Sequence, residues 1–336
     1  MKPRTKKIGR LLLQTVFTVA IFAALLWYIG FGSFWDVLSN IKMEYLVLVF
    51  AAYFGINLLF TVRLRIVLAK EGLKTSFIKT LFAQYAGMLT SDVTPGRSGY
   101  VLTPIYLRDQ NIPLSVSLSA ILGIQSVEFL AKVVGGVGAL VFLTKVSTVS
   151  LQTADFLIIG LGIGLMLTGA VLLAAMSWSQ RVIVAVKRVT THRLIARFTR
   201  GLMGKLEEYA QNAKKTRKAL PAITILTFMC WILKGFEWYF LGLALGITQI
   251  PWVGYFLIHP LVTALAFVPI TPAGAGIQEF GIVGVFSLIG VSATTAGAFA
   301  IVARAILVIQ DLVGVPQIVR TSSTLLTKKP EVDITS

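Results

Sequence analysis

Long apolar runs alternate with short, mostly basic segments along this chain. Because a helix needs about 20 apolar residues to cross the hydrocarbon core of a bilayer, a run near that length predicts a membrane-spanning helix. Six runs predict full spans: Leu11–Phe31, Tyr45–Val62, Leu114–Leu143, Phe156–Trp178, Leu220–Ile247 and Ala293–Val319. The segment Ser33–Glu44, between the first two, predicts a short outer loop.

Two further apolar stretches are broken by proline and glycine. Ser76–Thr90 has 15 residues at helical spacing, which rise only about 22 Å, too little for the ~30 Å core. It leads to TPGRSG at Thr94–Gly99, and TPAGAGIQE at Thr271–Glu279 interrupts the run Pro251–Val291. Proline removes a backbone donor and glycine tolerates positive φ, so both predict the hinge of a re-entrant hairpin. The predicted hinge residues are Pro95, Gly96, Gly99, Pro272, Gly274 and Gly276.

The two hinges divide the chain into halves of similar layout. Glu128 follows the first hinge at nearly the distance at which Arg304 follows the second, and Arg63 and Glu237 precede their hinges by similar distances. We call residues 45–143 the first half and residues 220–319 the second half. Each half therefore contains a charged helix, a broken hairpin and a second charged helix.

Basic residues set the orientation of these elements. Residues 1–10 contain five basic residues and no acid, and residues 179–219 contain eleven basic residues against two acidic ones. The positive-inside rule places both segments, and the tail 320–336, in the cytoplasm. The two halves of the membrane domain 11–319 then cross in opposite directions, as in many secondary transporters. The predicted fold is an all-α polytopic membrane protein with six full spans, two broken hairpins and both termini inside.

Composition agrees with this fold and excludes other classes. The 336 residues are 56% hydrophobic and only 13% charged, with a mean hydropathy of +0.82, whereas soluble domains are about a quarter charged. The net charge of +17 is concentrated at the ends of apolar runs, which argues against nucleic acid as a partner. Cys230 is the single cysteine, so a Cys-rich metal site is excluded. We expect a multi-pass protein of the cell membrane without metal or cofactor.

Several charges lie inside the predicted spans. A charge at the bilayer centre costs roughly 2.5–3.5 kcal/mol, so such residues normally face a partner or a cavity. The intramembrane charges are Glu128, Lys132, Lys234, Glu237 and Asp311, in addition to Arg304. Glu128 and Lys132 are spaced i,i+4, and Lys234 and Glu237 i,i+3, so each pair can neutralise itself. A structural and a functional role both stay open for these pairs.

Arg304 has no carboxylate close by in sequence, because Asp311 is two turns away. Glu128, Glu237 or Glu279 must therefore approach it in space, or a ligand anion must. Arg97 lies within the first hinge, where free backbone N–H groups and a guanidinium group favour a phosphate site. The residues predicted to contact substrate are Arg97, Arg304, Glu279, Gln278, Thr94 and Thr271.

Four polar residues can be interpreted one by one. Glu279 is the best candidate for a cationic partner or a protonatable switch. Arg63 and Arg65, at the end of the second span, are interpreted as interfacial anchors. His259 has no second imidazole or thiol nearby, so a hydrogen-bonded core residue is favoured over a metal ligand or a proton relay.

These motifs resemble the flippase-like membrane family that includes the transmembrane part of lysylphosphatidylglycerol synthase. The resemblance rests on PGRSG at Pro95–Gly99, PITPAGAGIQE at Pro269–Glu279 and Arg304, and covers roughly residues 10–320. The family pattern has a glutamate where this chain has Tyr100, and Gly-Gly where this chain has AG at 273–274. The resemblance implies lipid translocation or a role in lipid modification.

The predicted function is translocation of an anionic, polyprenyl-phosphate-linked or aminoacylated lipid between leaflets, with anionic headgroups as the ligands. One alternative is a phosphatidylglycerol lysyltransferase or its membrane component. The longest extramembrane segment, Ser179–Ala219, has 41 residues, fewer than the ~50 of a small domain, and contains no catalytic constellation. Such an enzyme would therefore need a separate soluble lipid-modifying partner, and we assign no catalytic residue. A membrane scaffold for a glycosyltransferase is the third possibility.

Overall fold

The computed structural model describes residues 30–147, 153–178, 217–265, 271 and 274–327, together with residues 23 and 27. These residues form α-helices joined by short 3-10 turns, and no strand occurs among them. The α-helices are α1 (Phe31–Ser39), α2 (Met43–Lys70), α3 (Phe77–Asp92), α4 (Thr103–Tyr106), α5 (Leu114–Val146), α6 (Thr153–Trp178), α7 (Leu220–Ala244), α8 (Trp252–Ala264), α9 (Ile277–Leu288), α10 (Ala293–Asp311) and α11 (Val315–Thr327).

Four helical stretches are long and apolar enough to cross a membrane. They are Met43–Lys70, Leu114–Val146, Arg217–Ala244 and Ala293–Thr324. Each corresponds to a predicted span, so the all-helical membrane class is confirmed. The first predicted span, Leu11–Phe31, and most of the basic segment 179–219 lie outside the described residues. The count of six spans therefore stays a prediction.

Two predicted boundaries are wrong for identifiable reasons. The segment expected to form an outer loop contains the helix α1, which begins after Gly30 (φ 78°), buries Phe34 and packs against α10. The second predicted span ends at Val62, but α2 continues to Lys70. Leu64 and Leu68 are fully buried in this extension, so apolar packing holds the helix beyond the arginines that suggested its end.

The two predicted hinges both separate short helices. The first lies between α3 and α4, and the second lies between α8 and α9. Apart from Tyr85, the buried residues of α3 are small or polar, namely Thr80, Ala83, Gln84, Ala86, Gly87 and Ser91. Small residues let helix backbones approach closely within a membrane. The hairpin helices are thus suited to packing inside the protein.

The first helix of each hairpin packs against the end helix of the other half. Pro260 of α8 lies where a side chain on Gly135 of α5 would stand, 2.5 Å from the ideal Cβ position. Likewise, the backbone of Ala86 in α3 lies 2.4 Å from the Cβ position of Gly314, directly after α10. Only glycine fits at these two positions. The first helices of the two halves, α2 and α7, also pack along each other.

An aromatic cluster fixes the helices of the second half around the centre. Trp238 of α7 contacts the ring of Phe299 in α10, with 5.1 Å between ring centroids, and Phe299 contacts Phe286 of α9 at 4.9 Å. Such pairs contribute about 0.5–1.5 kcal/mol beyond the area they bury. The cluster lies one residue after Glu237 and therefore positions the charged turn of α7.

The inverted repeat, which stays a prediction, can be tested by the side of the membrane on which two connections lie. Lys74 and Gln249 are exposed in the connections that precede the first and the second hairpin. With Cys230→Ser as background, a membrane-impermeant maleimide should label Gln249→Cys in intact cells. Lys74→Cys should be labelled only after permeabilisation. Labelling of both positions from the same side would contradict the inverted repeat.

Candidate functional site

A cavity of about 280 Å³ lies between the two halves. It is lined by residues of α2, α3 and α5 to α10 and by the first hinge. Its charged lining comprises five basic side chains and three acidic ones, namely Arg63, Arg97, Lys132, Lys234 and Arg304 with Glu128, Glu237 and Glu279. The cavity wall therefore carries an excess of positive charge in a largely apolar surrounding.

The first hinge presents Arg97 to this cavity. Gly96 (φ 59°) and Arg97 (φ 54°) both adopt the left-handed conformation, which costs a non-glycine residue about 1–3 kcal/mol. Thr94 holds the turn, because its Oγ1 accepts from the Gly99 amide at 2.7 Å and donates to the Thr90 carbonyl at 2.9 Å. Strain of this kind persists only where the surrounding structure enforces it.

Arg97 is held loosely by its neighbours. Its one ion pair among the described residues joins Nη2 to Asp92 Oδ1 at 3.4 Å, and its Nε has no hydrogen-bond partner among them. The side chain remains 17% exposed. Arg97 thus offers donors to an incoming anion.

The second hinge builds a tighter arrangement around Glu279. One carboxylate oxygen of Glu279 accepts from the Gly276 amide at 2.6 Å, which caps the start of α9. The other oxygen pairs with the guanidinium Nε of Arg304. Arg304 also donates from Nη2 to Gln278 Oε1 at 3.3 Å. Of the three glutamates that sequence reasoning offered to Arg304, the structure selects Glu279.

The interpretation of Arg63 as an interfacial anchor is wrong. Its side chain is 1% exposed, and it pairs with Glu128 of α5 and donates from Nη1 to Thr227 Oγ1 of α7 at 2.8 Å. The guanidinium carbon also lies 4.8 Å from the ring centroid of Phe60. Arg63 therefore connects three helices at the cavity wall. Arg65 is instead partly buried and donates to the Thr75 carbonyl, at 2.9 Å from Nη2.

The predicted ion pair between Lys234 and Glu237 on α7 is confirmed. Lys234 Nζ lies 2.6 Å and 2.7 Å from the two carboxylate oxygens of Glu237. It also lies 4.8 Å from the ring centroid of Tyr53. On α5, Glu128 receives Arg63 as a partner from another helix, and Lys132 lies over the ring of Phe129 at 5.5 Å while lining the cavity.

Breaking the α7 pair should reduce the amount of folded protein. Lys234→Met leaves the Glu237 carboxylate, 3% exposed, without its cation, and removing one partner of a buried pair is strongly destabilising. The double change with Glu237→Gln should restore the yield, measured as the monodisperse fraction in size-exclusion chromatography. Full yield of the single variant together with lost activity would make Lys234 functional rather than structural.

Several predicted residues lie away from the cavity. Thr94, Pro95, Gly99, Thr271, Gly274, Gly276 and Asp311 do not contribute to its lining. Thr271 is fully buried, and its hydroxyl has no partner among the described residues. Asp311 is also fully buried and accepts from the Tyr53 hydroxyl at 2.9 Å and 3.0 Å. Pro272 lies outside the described residues.

Sequence reasoning missed two residues near the site. His259 lines the cavity, with its ring 5.0 Å from that of Trp238. The second residue is Asp92, which pairs with Arg97. One feature of the sequence could have indicated it: Asp92 is a carboxylate at the end of the otherwise uncharged segment that follows Lys79. In the part of the chain that the structure describes, no group of three or more His, Cys, Asp and Glu residues is placed to hold a metal ion.

The fold and the site together define a helical membrane protein with a charged cavity between two broken hairpins. The chain belongs to the family of the lysylphosphatidylglycerol synthase transmembrane region, whose model matches residues 15–314. A comparison with curated proteins gave no match. The family supports a function connected with membrane lipids, in agreement with the resemblance of the two hinge motifs.

Proposed function

We propose that this protein moves a phosphate-bearing lipid between the leaflets of the cell membrane. The observation that carries the proposal is the cavity between the halves, where basic side chains outnumber acidic ones. Arg97 enters it from the first half and Arg304 from the second. Guanidinium groups bind phosphate through two parallel hydrogen bonds. The phosphate shared by anionic, polyprenyl-phosphate-linked and aminoacylated lipids is the group recognised.

The size of the cavity suits a headgroup rather than a whole lipid. Its volume of about 280 Å³ is at the lower end of small-molecule pockets, which span roughly 300–1,000 Å³. The wall beside the charges is apolar and includes Ile56, Phe60, Leu122, Phe129 and Leu173. The acyl chains would therefore stay in the bilayer while the charged headgroup passes through the protein.

The distribution of ion pairs supports movement of one half against the other. Arg63 pairs with Glu128 within the first half, and Arg304 pairs with Glu279 within the second half. The pairs Arg97–Asp92 and Lys234–Glu237 also lie within single halves. These four ion pairs therefore do not cross from one half to the other. Rocking of two inverted repeats around a central site could then proceed without breaking these pairs.

Leaflet-resolved transfer in liposomes tests this function. Purified protein would be reconstituted into liposomes with lipids of different classes that carry a fluorophore on the headgroup. A quencher that cannot cross the bilayer would then report the fraction of labelled lipid in the outer leaflet. We expect probes with anionic headgroups to exchange faster than in protein-free liposomes, and faster than a phosphatidylcholine probe. Transfer at the protein-free rate for all probes would reject the function, and equal acceleration of all of them would reject headgroup recognition.

A further inference from the structure

Two buried carboxyl groups meet where the two halves touch. Asp92 is the last residue of α3 in the first half, and its side chain is 3% exposed. Asp311 is the last residue of α10 in the second half and is fully buried. Helix α3 packs against α10 and the turn that follows it, which brings the two carboxyl groups within hydrogen-bonding reach of each other. This contact lies outside the lining of the cavity.

The hydrogen bonds around these carboxyl groups leave one oxygen without a donor. Asp311 accepts from the Tyr53 hydroxyl at both oxygens, and Asp92 Oδ1 faces Arg97 Nη2 at 3.4 Å. Asp92 Oδ2 is buried and has no hydrogen-bond partner among the described residues. A buried acceptor without a donor is costly, and two adjacent carboxylates in a dry site cannot both ionise easily.

The charged groups around the two aspartates do not supply enough cations to balance two carboxylates. The titratable and charged groups that face it are Tyr53 of α2, Tyr85 of α3, Arg97 of the first hinge, Lys234 and Glu237 of α7, and Arg304 of α10. Lys234 is bound to Glu237, and Arg304 is bound to Glu279. Of these cations, Arg97 is the one that forms an ion pair with the two aspartates, and its partner is Asp92. One cation therefore faces two carboxyl groups.

We propose that Asp92 and Asp311 share one proton and form a proton-binding site between the two halves. The protonated carboxyl group donates a hydrogen bond to the ionised one, so that the pair carries a single negative charge opposite Arg97. Loss of the proton leaves two carboxylates that repel each other. Because α3 and α10 belong to different halves, the protonated pair holds these helix ends together and the ionised pair separates them.

The site is linked to the headgroup cavity through Arg97, and this link rests on the proposed function. A phosphate that engages Arg97 takes away the cation that offsets the ionised pair, so the pair then holds its proton more strongly. Binding effects of two ligands are reciprocal. An anionic headgroup and a proton should therefore stabilise each other on the protein, and lower pH should favour headgroup binding.

Infrared spectroscopy of the purified full-length protein tests the shared proton without any lipid substrate. We expect the C=O stretching band of a protonated carboxyl group at neutral pH, its loss at alkaline pH and its shift in deuterated water. Incorporation of aspartate carrying ¹³C in the side-chain carboxyl should shift the band. Asp92→Asn and Asp311→Asn should each remove it, whereas Asp109→Asn, on the same hairpin but partly exposed, should keep it.

Three results would overturn the shared proton. The first is absence of the band from the unaltered protein at neutral pH, which needs no variant to fold. The second is a band that fails to shift with labelled aspartate or persists in both Asn variants. The third is a melting temperature that sodium chloride raises and choline chloride does not, with the difference lost in the Asn variants, since the site would then hold a metal cation. A positive infrared result with no lipid transfer would reject the proposed function alone.

Discussion

Arg97→Ala should abolish lipid transfer in liposomes while leaving the protein folded. Arg97 lines the cavity, keeps free donors and forms only one long ion pair, at 3.4 Å to Asp92. Its loss should remove the proposed headgroup contact at little cost to folding, because the adjacent Asp92 and Asp311 can take up a proton when the cation is absent. Replacing Arg97 by alanine also relieves little strain, because alanine still has to adopt the positive φ at this position.

The lysine variant tests whether the planar fork matters. Arg97→Lys keeps the positive charge but loses the two parallel donors that grip a phosphate. We expect partial transfer, between the unaltered protein and Arg97→Ala. Arg65→Ala is the matched control, since Arg65 lies on α2 outside the cavity lining and bonds only to Thr75 among the described residues. Transfer by this control should stay close to that of the unaltered protein.

Arg304→Ala should also stop transfer, but with a structural component that Arg97→Ala lacks. Arg304 pairs with Glu279, which caps α9 through the Gly276 amide. The alanine variant should therefore melt at a lower temperature as well. Adding Glu279→Gln removes the unpaired charge and should restore part of the stability without restoring transfer. Recovery of transfer in that double variant would place Arg304 in folding rather than in headgroup contact.

Lipid extracts distinguish the transporter from the enzyme. In cells carrying Arg97→Ala, total lipid composition should stay constant while the leaflet distribution of the substrate changes. If the variant instead removes an aminoacylated lipid from total extracts and leaves the leaflet ratios of other lipids unaltered, the lysyltransferase alternative is correct. Transition-state contacts of an enzyme and headgroup contacts of a carrier would both use an arginine, so the lipid measurement is decisive.

The sequence predicts the local features of this fold and misses those that depend on distant residues. The length of an apolar run and the presence of proline and glycine act within one segment, which is why Leu114–Leu143 is close to the observed α5 and both hinges separate short helices. Helix α1 lies where the sequence predicts a loop, because nine residues with a charge and a glycine are stabilised as a helix here by packing on α10.

The charged residues show the same limit. The pair Lys234–Glu237 is readable because both partners lie on one turn. For Arg304, the sequence offers three glutamates as partners and gives no reason to choose one of them. Asp92 and Asp311 are far apart in sequence, and only the packing of α3 against the end of α10 brings them together. The burial of a charge depends on elements that no local pattern specifies.

Arg63 shows how two sequence arguments can conflict. Its position at the end of an apolar run favours an interfacial anchor, whereas its distance before the first hinge matches that of Glu237 before the second. The structure buries Arg63 against Glu128 and Thr227, so the first argument is wrong. The end of an apolar run therefore does not by itself show that an arginine lies at the membrane surface.

Arg63→Met should cause the largest loss of stability among these variants. The side chain is 1% exposed and Glu128 is 15% exposed, so the variant leaves a largely buried carboxylate without its cation. Breaking such a pair from one side costs about 3–5 kcal/mol. Donation to Thr227 is lost as well, and with it a link between α2 and α7. We expect a low yield of monodisperse protein and a clearly reduced melting temperature.

The second change decides whether charge is the cause. Adding Glu128→Gln to Arg63→Met removes both members of the pair, and replacing a buried pair by uncharged residues is often close to neutral. The double variant should therefore recover most of the yield. Arg65→Met is the control on the same helix: it removes a partly buried arginine with three hydrogen bonds and should lose little yield. A double variant no more stable than Arg63→Met would show that Glu128 is not the group that Arg63 neutralises. If the recovered double variant also transfers lipid, the role of Arg63 is structural. If the double variant folds and does not transfer lipid, Arg63 contacts the headgroup, as proposed for Arg97 and Arg304.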